Sequence, residues 1–321
     1  MDHSLAGVLF HILIFPGFLF LATIALFAEY VDRKLCARLQ NRVGPPWFQP
    51  WADFIKLLAK EDLVPELVDR PMFAIAPLVA LTSVVTALMY IPIWSPSALF
   101  AFKGDAIVVL YLLSIPTVAF FLGGWYSRSL FSMIGAARAI TQLFAYEVPL
   151  VLSILAPALL ADTWSLSELT KYYSANPLHM LFNLIGLAVG LLALLGKLER
   201  VPFDAPEAET EVVAGTLTEY SGKLLAIFRM AISIEMIVGA SLLAAVFLPF
   251  GLNLGPAVGF GLYLVKVFAI VCLISLLRSV FARLRIDQMV NFCWQYVAPV
   301  AFVQLLIDLG VKGLMKGPVG P

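Results

Sequence analysis

The stretch from Glu199 to Gly222 reads ERVPFDAPEAETEVVAGTLTEYSG and separates two apolar runs, residues 178–198 and 222–249, each long enough to span a bilayer. This acidic loop (residues 199–222) carries six carboxylates beside the lipid. They are Glu199, Asp204, Glu207, Glu209, Glu211 and Glu219. So much acid between two apolar runs indicates a membrane protein in which charge at the lipid boundary has a role.

The spacing of the acids predicts a short helix inside this loop. Asp204 can cap a helix that begins at Ala205, with Glu207 at the spacing of a capping box. On such a helix Glu207 and Glu211 share a face, where like charges repel unless one carboxylate keeps its proton or a cation lies nearby. This arrangement is typical of proton-handling sites. The alternative is a solvated acidic loop.

The composition sets the fold class. The chain has 321 residues, a mean hydropathy of +0.95, 61% hydrophobic residues and 13% charged residues. Apolar runs long enough to span lie at about 6–29, 72–94, 106–127, 133–161, 178–198, 222–249, 256–280 and 290–310. The sequence therefore predicts an all-α polytopic membrane protein of about eight tilted helices, forming a single domain over residues 1–321.

Lysine and arginine predict the orientation of these spans. Fourteen lie in the loops after spans one, three, five and seven, and four lie on the other side. By the positive-inside rule both termini lie outside the plasma membrane. The loops at about 31–71, 128–132, 199–222 and 281–289 are then cytoplasmic. Apolar residues near helical spacing around Trp51 and Phe54 predict an amphipathic helix on the membrane surface in the first of them.

The few cysteines and histidines bound the chemistry of the chain. Cys36, Cys272 and Cys293 are far apart and form no C-x-x-C pair, so an iron–sulfur cluster or a zinc site within this chain is not expected. Three histidines cannot supply a bis-histidine haem site. The sequence therefore predicts no metal or cofactor in this chain, and the absence of a basic run argues against a nucleic-acid partner.

Ionisable residues inside the spans are the strongest indication of function, because each is costly unless it is paired, neutralised or hydrated. Glu147, Glu235 and Lys266 lie within predicted spans, whereas Glu29 and Asp308 lie nearer the ends and are expected at the interface. One interpretation is a set of interhelical salt bridges. The other is a hydrated track of carboxylates that change protonation. Because glutamates outnumber basic partners along this route, the second interpretation is favoured.

The acidic loop resembles the signature loop of the complex I subunit 1 family, the subunit of NADH:quinone oxidoreductase that meets the peripheral arm. Three further segments fit this family in the same order: VDRKLCARLQNRVGPP with DFIKLLAKE, GAARAITQLFAYEVPL, and RLRIDQMVNFCWQYVAP. The resemblance implies an eight-helix tilted subunit that forms the floor of the electron-acceptor chamber, beside the last iron–sulfur cluster of a neighbour. It also implies a chain of buried glutamates leading toward antiporter-like membrane subunits.

Two groups of residues match the family's functional positions. The resemblance assigns the ion-translocation chain to Glu207, Glu209, Glu211, Glu219, Glu147 and Glu235, to which the residues inside the spans add Lys266. It assigns contact with the soluble peripheral arm to Arg33, Arg38, Arg42, Asp53, Lys56 and Glu61. No catalytic residue is expected in this chain.

One departure from the family pattern bears on the electron acceptor. The glycine-rich insertion of the quinone-reducing enzymes is missing between RVGPP and FQPWADFIKLL, and RLQNRVGPPWFQPWADF is similar to the branch of membrane-bound energy-converting [NiFe]-hydrogenases. That branch implies electrons from ferredoxin, iron–sulfur clusters and a nickel–iron centre in soluble partners, and export of protons or sodium ions. The alternatives are a quinone-reducing enzyme, a related sulfur-reducing complex, a stand-alone transporter and a passive anchor.

Overall fold

The computed structural model describes residues 5–66, 68–252 and 255–316, and within these ranges all regular structure is helical. The helices are α1 (Leu5–Leu13), α2 (Phe18–Leu39), α3 (Gln49–Ala59), α4 (Arg70–Leu88), α5 (Asp105–Tyr126), α6 (Leu130–Ala161), α7 (Leu166–Ala175), α8 (Pro177–Phe182), α9 (Leu184–Lys197), α10 (Glu209–Val212), α11 (Gly222–Phe247), α12 (Pro256–Val280), α13 (Ile286–Phe292) and α14 (Ala298–Lys316). A 3₁₀ turn covers Gly215–Leu217, and a π-helical turn covers Cys293–Val297.

The prediction of a polytopic helical membrane protein is confirmed. Seven helical segments of the described chain are long and apolar enough to cross a bilayer, with α1 and α2 counted as one segment. The sequence predicts an eighth pass as one continuous run over residues 178–198, and the continuity of this run is wrong. That region is divided at Asn183 into α8 and α9, and α9 has only 14 residues. At 1.5 Å per residue α9 is about 21 Å long, shorter than the hydrocarbon core of about 30 Å.

Helix α11 lies at the centre of the bundle. Nearly all of its residues from Met230 to Phe247 are buried, because α2, α4, α9 and α12 pack against it. Helix α6 packs against α5, α9 and α14 on one side of this centre. Alternating passes place the loops 40–69, 127–129, 198–221 and 281–285 on one face of the bundle, which we call the loop face, and the first and last described residues on the opposite face.

The amphipathic surface helix predicted around Trp51 is confirmed as α3. Trp51 and Phe54 are partly buried against the core, whereas Ile55 and Leu58 are exposed. An exposed apolar face on a helix at the loop face fits a helix that lies in the membrane interface. Helix α3 packs against α2 and α11, and the three helices line a small cavity of about 140 Å³.

The helix predicted to begin at Ala205 is wrong. The acidic loop forms only the single turn α10, which begins at Glu209 after Ala208, and no side chain caps it. Contacts with the bundle determine the path of the loop instead. Buried Gln142 on α6 donates hydrogen bonds to the carbonyls of Gly196 at 2.7 Å and Phe203 at 2.8 Å, on either side of the loop's first turn.

Close backbone packing further along the loop explains why a longer helix does not form. Gly215 has a φ of +54°, and a Cβ atom built there would lie 1.9 Å from the carbonyl oxygen of Pro206. The two halves of the loop therefore touch through their backbones at a position that requires glycine. Tyr220 ends the loop by stacking on Phe73, with ring centroids 3.9 Å apart, and by donating to the Phe73 carbonyl at 3.0 Å.

Candidate functional site

A cavity of about 470 Å³ lies beneath the acidic loop, between the loop-face ends of α2, α9, α11 and α12. Its lining is mostly charged, with five acids and six bases. The acids are Glu29, Glu199, Asp204, Glu207 and Glu235, and the bases are Arg33, Lys197, Arg200, Arg229, Arg278 and Arg283. The expectation that acids outnumber bases is wrong for this cavity, because basic residues converge on it from separate parts of the chain.

The deepest charged pair of the cavity joins Lys197 at the end of α9 to Glu235 in the middle of α11. Lys197 Nζ lies 3.4 Å from Glu235 Oε1, and their side chains are 0% and 2% exposed. Neither of these two atoms has a hydrogen-bond partner among the described residues. Lys197 also lies over the ring of Tyr146, 5.4 Å from its centroid. The pair is therefore held by charge and packing rather than by a close hydrogen bond.

A second group of charges lies where the cavity opens toward α3. Arg33 on α2 donates to Glu29 one turn earlier and lies 3.0 Å from Asp53 on α3. Ser233 on α11 donates to the other oxygen of Glu29 at 3.1 Å. Glu29, which was expected at the membrane interface, lines the cavity and connects α2 to α11. Arg229 lies 3.9 Å from Glu207 across the same opening.

A buried carboxylate joins three parts of the cavity wall. Asp32 on α2 is 1% exposed and accepts hydrogen bonds from Arg200 Nη1 at 3.0 Å, Arg278 Nη1 at 2.7 Å and Ser275 Oγ at 2.7 Å. Arg200 belongs to the acidic loop, and Arg278 and Ser275 belong to α12. Because two guanidinium groups share one carboxylate, this cluster contributes a net positive charge beside the cavity.

Glu199 lies between the rest of the acidic loop and the buried pair of Lys197 and Glu235. Burial raises the pKa of its carboxyl group well above the usual range, and the nearby carboxylates of Glu207, Glu235 and Asp204 raise this pKa further. Lys197 acts in the opposite direction and is outweighed. A carboxyl group in this position can bind and release a proton between the loop and the pair of Lys197 and Glu235.

The predicted pairing of Glu207 with Glu211 on one helix face is wrong. Glu207 precedes α10 and lies near Arg229, whereas Glu211 faces outward and lies 2.5 Å from Arg138 and 3.9 Å from Arg283. The hydrogen bond and the positive charge of Arg138 lower the pKa of Glu211. Glu211 therefore behaves as an exposed ion-pair partner and does not line the cavity.

Glu147 lies on α6 in a separate groove of about 200 Å³ between α5 and α6. Ser114 donates a hydrogen bond to one of its oxygens, and its other oxygen is buried with no partner among the described residues. Tyr146, the preceding residue, contacts Thr117 through their hydroxyl groups at 2.8 Å. Ser114 and Thr117 lie one turn apart on α5. We call the hydroxyl groups of Tyr146, Thr117 and Ser114 the hydroxyl row; Ser114 donates to Glu147, and Lys197 lies over the ring of Tyr146.

The other predicted ion-translocation residues lie apart from the cavity wall. Glu219 is partly buried and is not among the described residues that line the cavity. The side chain of Glu209 lies outside the described part of the structure. Lys266 on α12 donates to the carbonyl of Phe250 and lies 4.4 Å from the centroid of its ring, in the connection on the opposite face. Among the members of the predicted set whose side chains are described, Glu207 and Glu235 are the two that line the cavity.

The residues predicted to contact a soluble arm divide into two groups. Arg33 and Asp53 pair with each other inside this chain. Arg38, Arg42, Lys56 and Glu61 have exposed side chains on the loop face. The second group is the more exposed of the two, and contact of either group with a soluble arm stays a prediction.

Several residues of the cavity were missed by the sequence analysis. Lys197 is one of the fourteen basic residues that the positive-inside rule assigns to the loops, and Asp32 stands among basic residues in the segment VDRKLCAR. A signal for Asp32 was present, because Leu21, Ala25, Ala28 and Asp32 follow helical spacing and all face the core. Arg200 and Arg278 carry no comparable signal, since their shared partner lies far away along the chain.

The fold and the cavity define a polytopic membrane protein with a charged chamber at one end of its helical bundle. The chain belongs to the NADH dehydrogenase family, whose model matches residues 11–309. Within that family it is a membrane subunit of the complex I type, similar along most of its length to the H subunits of NADH-quinone oxidoreductases.

Known proteins similar to this chain come from several respiratory complexes. The H subunit of the NADH-quinone oxidoreductase of Syntrophotalea carbinolica is 34% identical over 301 residues, covering 89% of this chain and 90% of the relative. The corresponding protein of Carboxydothermus hydrogenoformans is 32% identical over 303 residues, covering 91% and 85%. A chain of the membrane-bound sulfane sulfur reductase, an archaeal respiratory membrane complex, matches with a TM-score of 0.80 and 26% identity, covering 90% of this chain and 96% of that chain.

Proposed function

We propose that this chain is the membrane-anchoring and coupling subunit of a ferredoxin-driven, hydrogen-evolving membrane-bound hydrogenase or of a close relative of that complex. The redox reaction takes place in soluble partners on the loop face, which lies in the cytoplasm, with both termini outside the plasma membrane. The chain converts that reaction into movement of protons or sodium ions. The charged cavity beneath the acidic loop is the observation that supports this proposal.

The lining of the cavity favours ion coupling over binding of an apolar acceptor. Sites for organic ligands are lined mainly by apolar and aromatic side chains with a few polar groups. Here the apolar lining is limited to Phe120, Leu198, Val201 and Ile232. A chamber with so many charges favours water, and water together with Glu199 and Glu235 can relay protons.

The groove that contains Glu147 supports the proposal that protons pass from this chain to other membrane proteins of the complex. Tyr111 and Ile107, which line this groove, have large exposed surfaces, and a half-satisfied carboxyl group within a membrane-spanning segment is costly. A transmembrane helix of an antiporter-like subunit seated on α5 and α6 would cover the groove and receive the proton from Glu147. Proton transfer would then leave this chain sideways, within the membrane.

The composition of the purified complex tests the proposed class. We expect nickel and iron–sulfur clusters in the soluble partners, and hydrogen evolution from reduced ferredoxin. Metal analysis and a gas assay on the intact complex measure both. A nickel-free complex that reduces sulfane sulfur would place the chain in the sulfur-reducing branch and contradict the hydrogenase assignment.

Quinone reduction is the second candidate, favoured by the relatives at 32% and 34% identity that belong to NADH-quinone oxidoreductases. On this hypothesis a quinone head group would enter beside α3, where the cavity opens. Quinone reduction by a nickel-free complex, sensitive to quinone-site inhibitors, would establish it over the first proposal.

Exposed charges on the loop face provide a test of docking. The double variant Arg38→Ala, Lys56→Ala is expected to retain less of the soluble arm on washed membranes, because both side chains are exposed beside the cavity entrance. We expect the difference from the wild type to shrink as ionic strength rises, since salt also screens the exposed charges of the wild type. Lys171→Ala, which changes an exposed lysine on the opposite face, is the control. If both variants retain the same amount of the soluble arm, Arg38 and Lys56 do not belong to the docking surface.

A further inference from the structure

A buried polar cluster lies at the end of the bundle opposite to the cavity. Gln304 and Asp308 on α14 are both 0% exposed, and they pack with Asn183 and Tyr173, which are 2% and 1% exposed. Asp308 was expected to lie at the membrane interface in contact with water, which is wrong. The cluster takes no part in the proposed coupling function, and its chemistry is independent of that function.

The orientation of the Gln304 amide is determined by its surroundings. Its Nε2 atom lies 2.7 Å from the Phe182 carbonyl oxygen, 3.2 Å from Asn183 Oδ1 and 3.1 Å from Asp308 Oδ2. Three acceptors surround this nitrogen, so the amide cannot be turned around without facing oxygen with oxygen. The Oε1 atom of Gln304 must therefore point the other way.

Two buried oxygens of this cluster have no hydrogen-bond partner within the described chain. They are Gln304 Oε1 and Asp308 Oδ1. They belong to the two groups that the 3.1 Å contact between Gln304 Nε2 and Asp308 Oδ2 joins. Two unpaired acceptors in a buried site are costly, and one hydrogen placed between them would satisfy both.

The charges around Asp308 do not neutralise it. Lys312, one turn further on α14, lies 2.7 Å from Asp162 at the end of α6. Tyr173 on α7 donates to the Pro157 carbonyl at 3.0 Å and keeps its proton, because burial raises its pKa. On α8 the ring of His179 lies 3.0 Å from the Tyr172 hydroxyl, and the one ionisable residue of α9 is Lys197 at its far end. No described residue forms an ion pair with Asp308.

We propose that Asp308 is a proton-binding site, in which the neutral carboxylic acid donates from Oδ1 to Gln304 Oε1 and accepts at Oδ2 from Gln304 Nε2. The number of unpaired oxygens distinguishes a proton from a metal cation. A hard metal cation takes about six or more oxygen ligands, whereas the described residues offer two unpaired oxygens. A single proton gives both of these oxygens a hydrogen-bond partner. The chain thus carries a protonated carboxyl group on the face opposite to the cavity.

Infrared difference spectroscopy of the intact complex at neutral pH tests this assignment. The spectrum of the wild type minus that of Asp308→Asn is expected to show the C=O band of a carboxylic acid, shifted in D₂O. Absence of this band would overturn the proposal, as would a band that disappears when potassium is exchanged for sodium. Asp162→Asn is the control, because Asp162 is exposed and paired with Lys312 and should give no such band.

Thermal stability provides the second readout. The amide of Asp308→Asn can donate to Gln304 Oε1 and accept from Nε2, so we expect this variant to keep the melting temperature of the wild type at neutral pH. Asp308→Leu should melt lower, because it leaves both Gln304 groups unpaired. The wild type should lose stability as the pH rises, since the folded state holds a proton that the unfolded state has released, and Asp308→Asn should not. Failure of Asp308→Asn to fold would overturn the proposal.

Discussion

The Glu235→Gln variant is expected to translocate ions about a hundredfold more slowly per electron while the complex still assembles. Glutamine keeps the shape of the side chain but cannot give up a proton, and a positioned proton-transfer group contributes about 10²-fold or more. Glu235 is the deepest carboxyl group of the cavity and contacts Lys197 at 3.4 Å. The measurement is the ratio of ions moved to electrons transferred in proteoliposomes that contain the whole complex.

The same substitution also has a structural cost that must be separated from its effect on translocation. Removing one partner of a buried ion pair leaves the other charge unpaired, at a cost of about 3–5 kcal/mol. The double variant Lys197→Met, Glu235→Gln removes both charges. It should recover the melting temperature without recovering translocation.

Two further variants complete this test. Glu147→Gln should act in the same direction as Glu235→Gln, because it removes the exchangeable proton at the other end of the hydroxyl row. Glu168→Gln, on the opposite face, should change nothing. If both Glu147→Gln and Glu235→Gln keep the wild-type ratio of ions to electrons, the carboxylates carry no protons and the chain acts only as a scaffold.

The membrane passes could be predicted from the sequence because each depends on a local property, a long apolar run. Helix α3 could be predicted for the same reason, since its apolar residues follow helical spacing within a few turns. The path of the acidic loop could not. Glu211 meets Arg138 and Arg283, which are distant in sequence, and a helix pattern over 205–211 contains no information about them.

Lys197 shows how a tertiary feature reverses an assignment made from the sequence. A lysine at the end of an apolar run is normally assigned to the loop that follows. Helix α9 is about 21 Å long, shorter than the hydrocarbon core of a bilayer, and its last residue, Lys197, is buried within the bundle. Its length could not be read from the sequence, because the apolar run continues through α8 and hides the break at Asn183.

Asp32→Ala is expected to lower the free energy of unfolding by about 3–5 kcal/mol, the cost of leaving buried charges without their partner. The substitution removes the acceptor shared by Arg200, Arg278 and Ser275, which joins α2, α12 and the acidic loop. A loss of this size is a large part of the stability of a typical protein. The amount of chain retained in membranes and its melting temperature in detergent measure the effect.

Comparison with two other variants shows whether charge or packing accounts for the loss. Asp53→Ala also removes an ion pair with an arginine, but both of its side chains are about 40% exposed, so we expect about 0–1 kcal/mol. Asp32→Asn keeps the shape of the buried side chain and loses its charge. If the carboxylate holds the two guanidinium groups together by charge, this variant should be nearly as unstable as Asp32→Ala. Wild-type stability in Asp32→Asn would mean that packing alone joins α2, α12 and the loop, and that the positive charge beside the cavity needs no counterion.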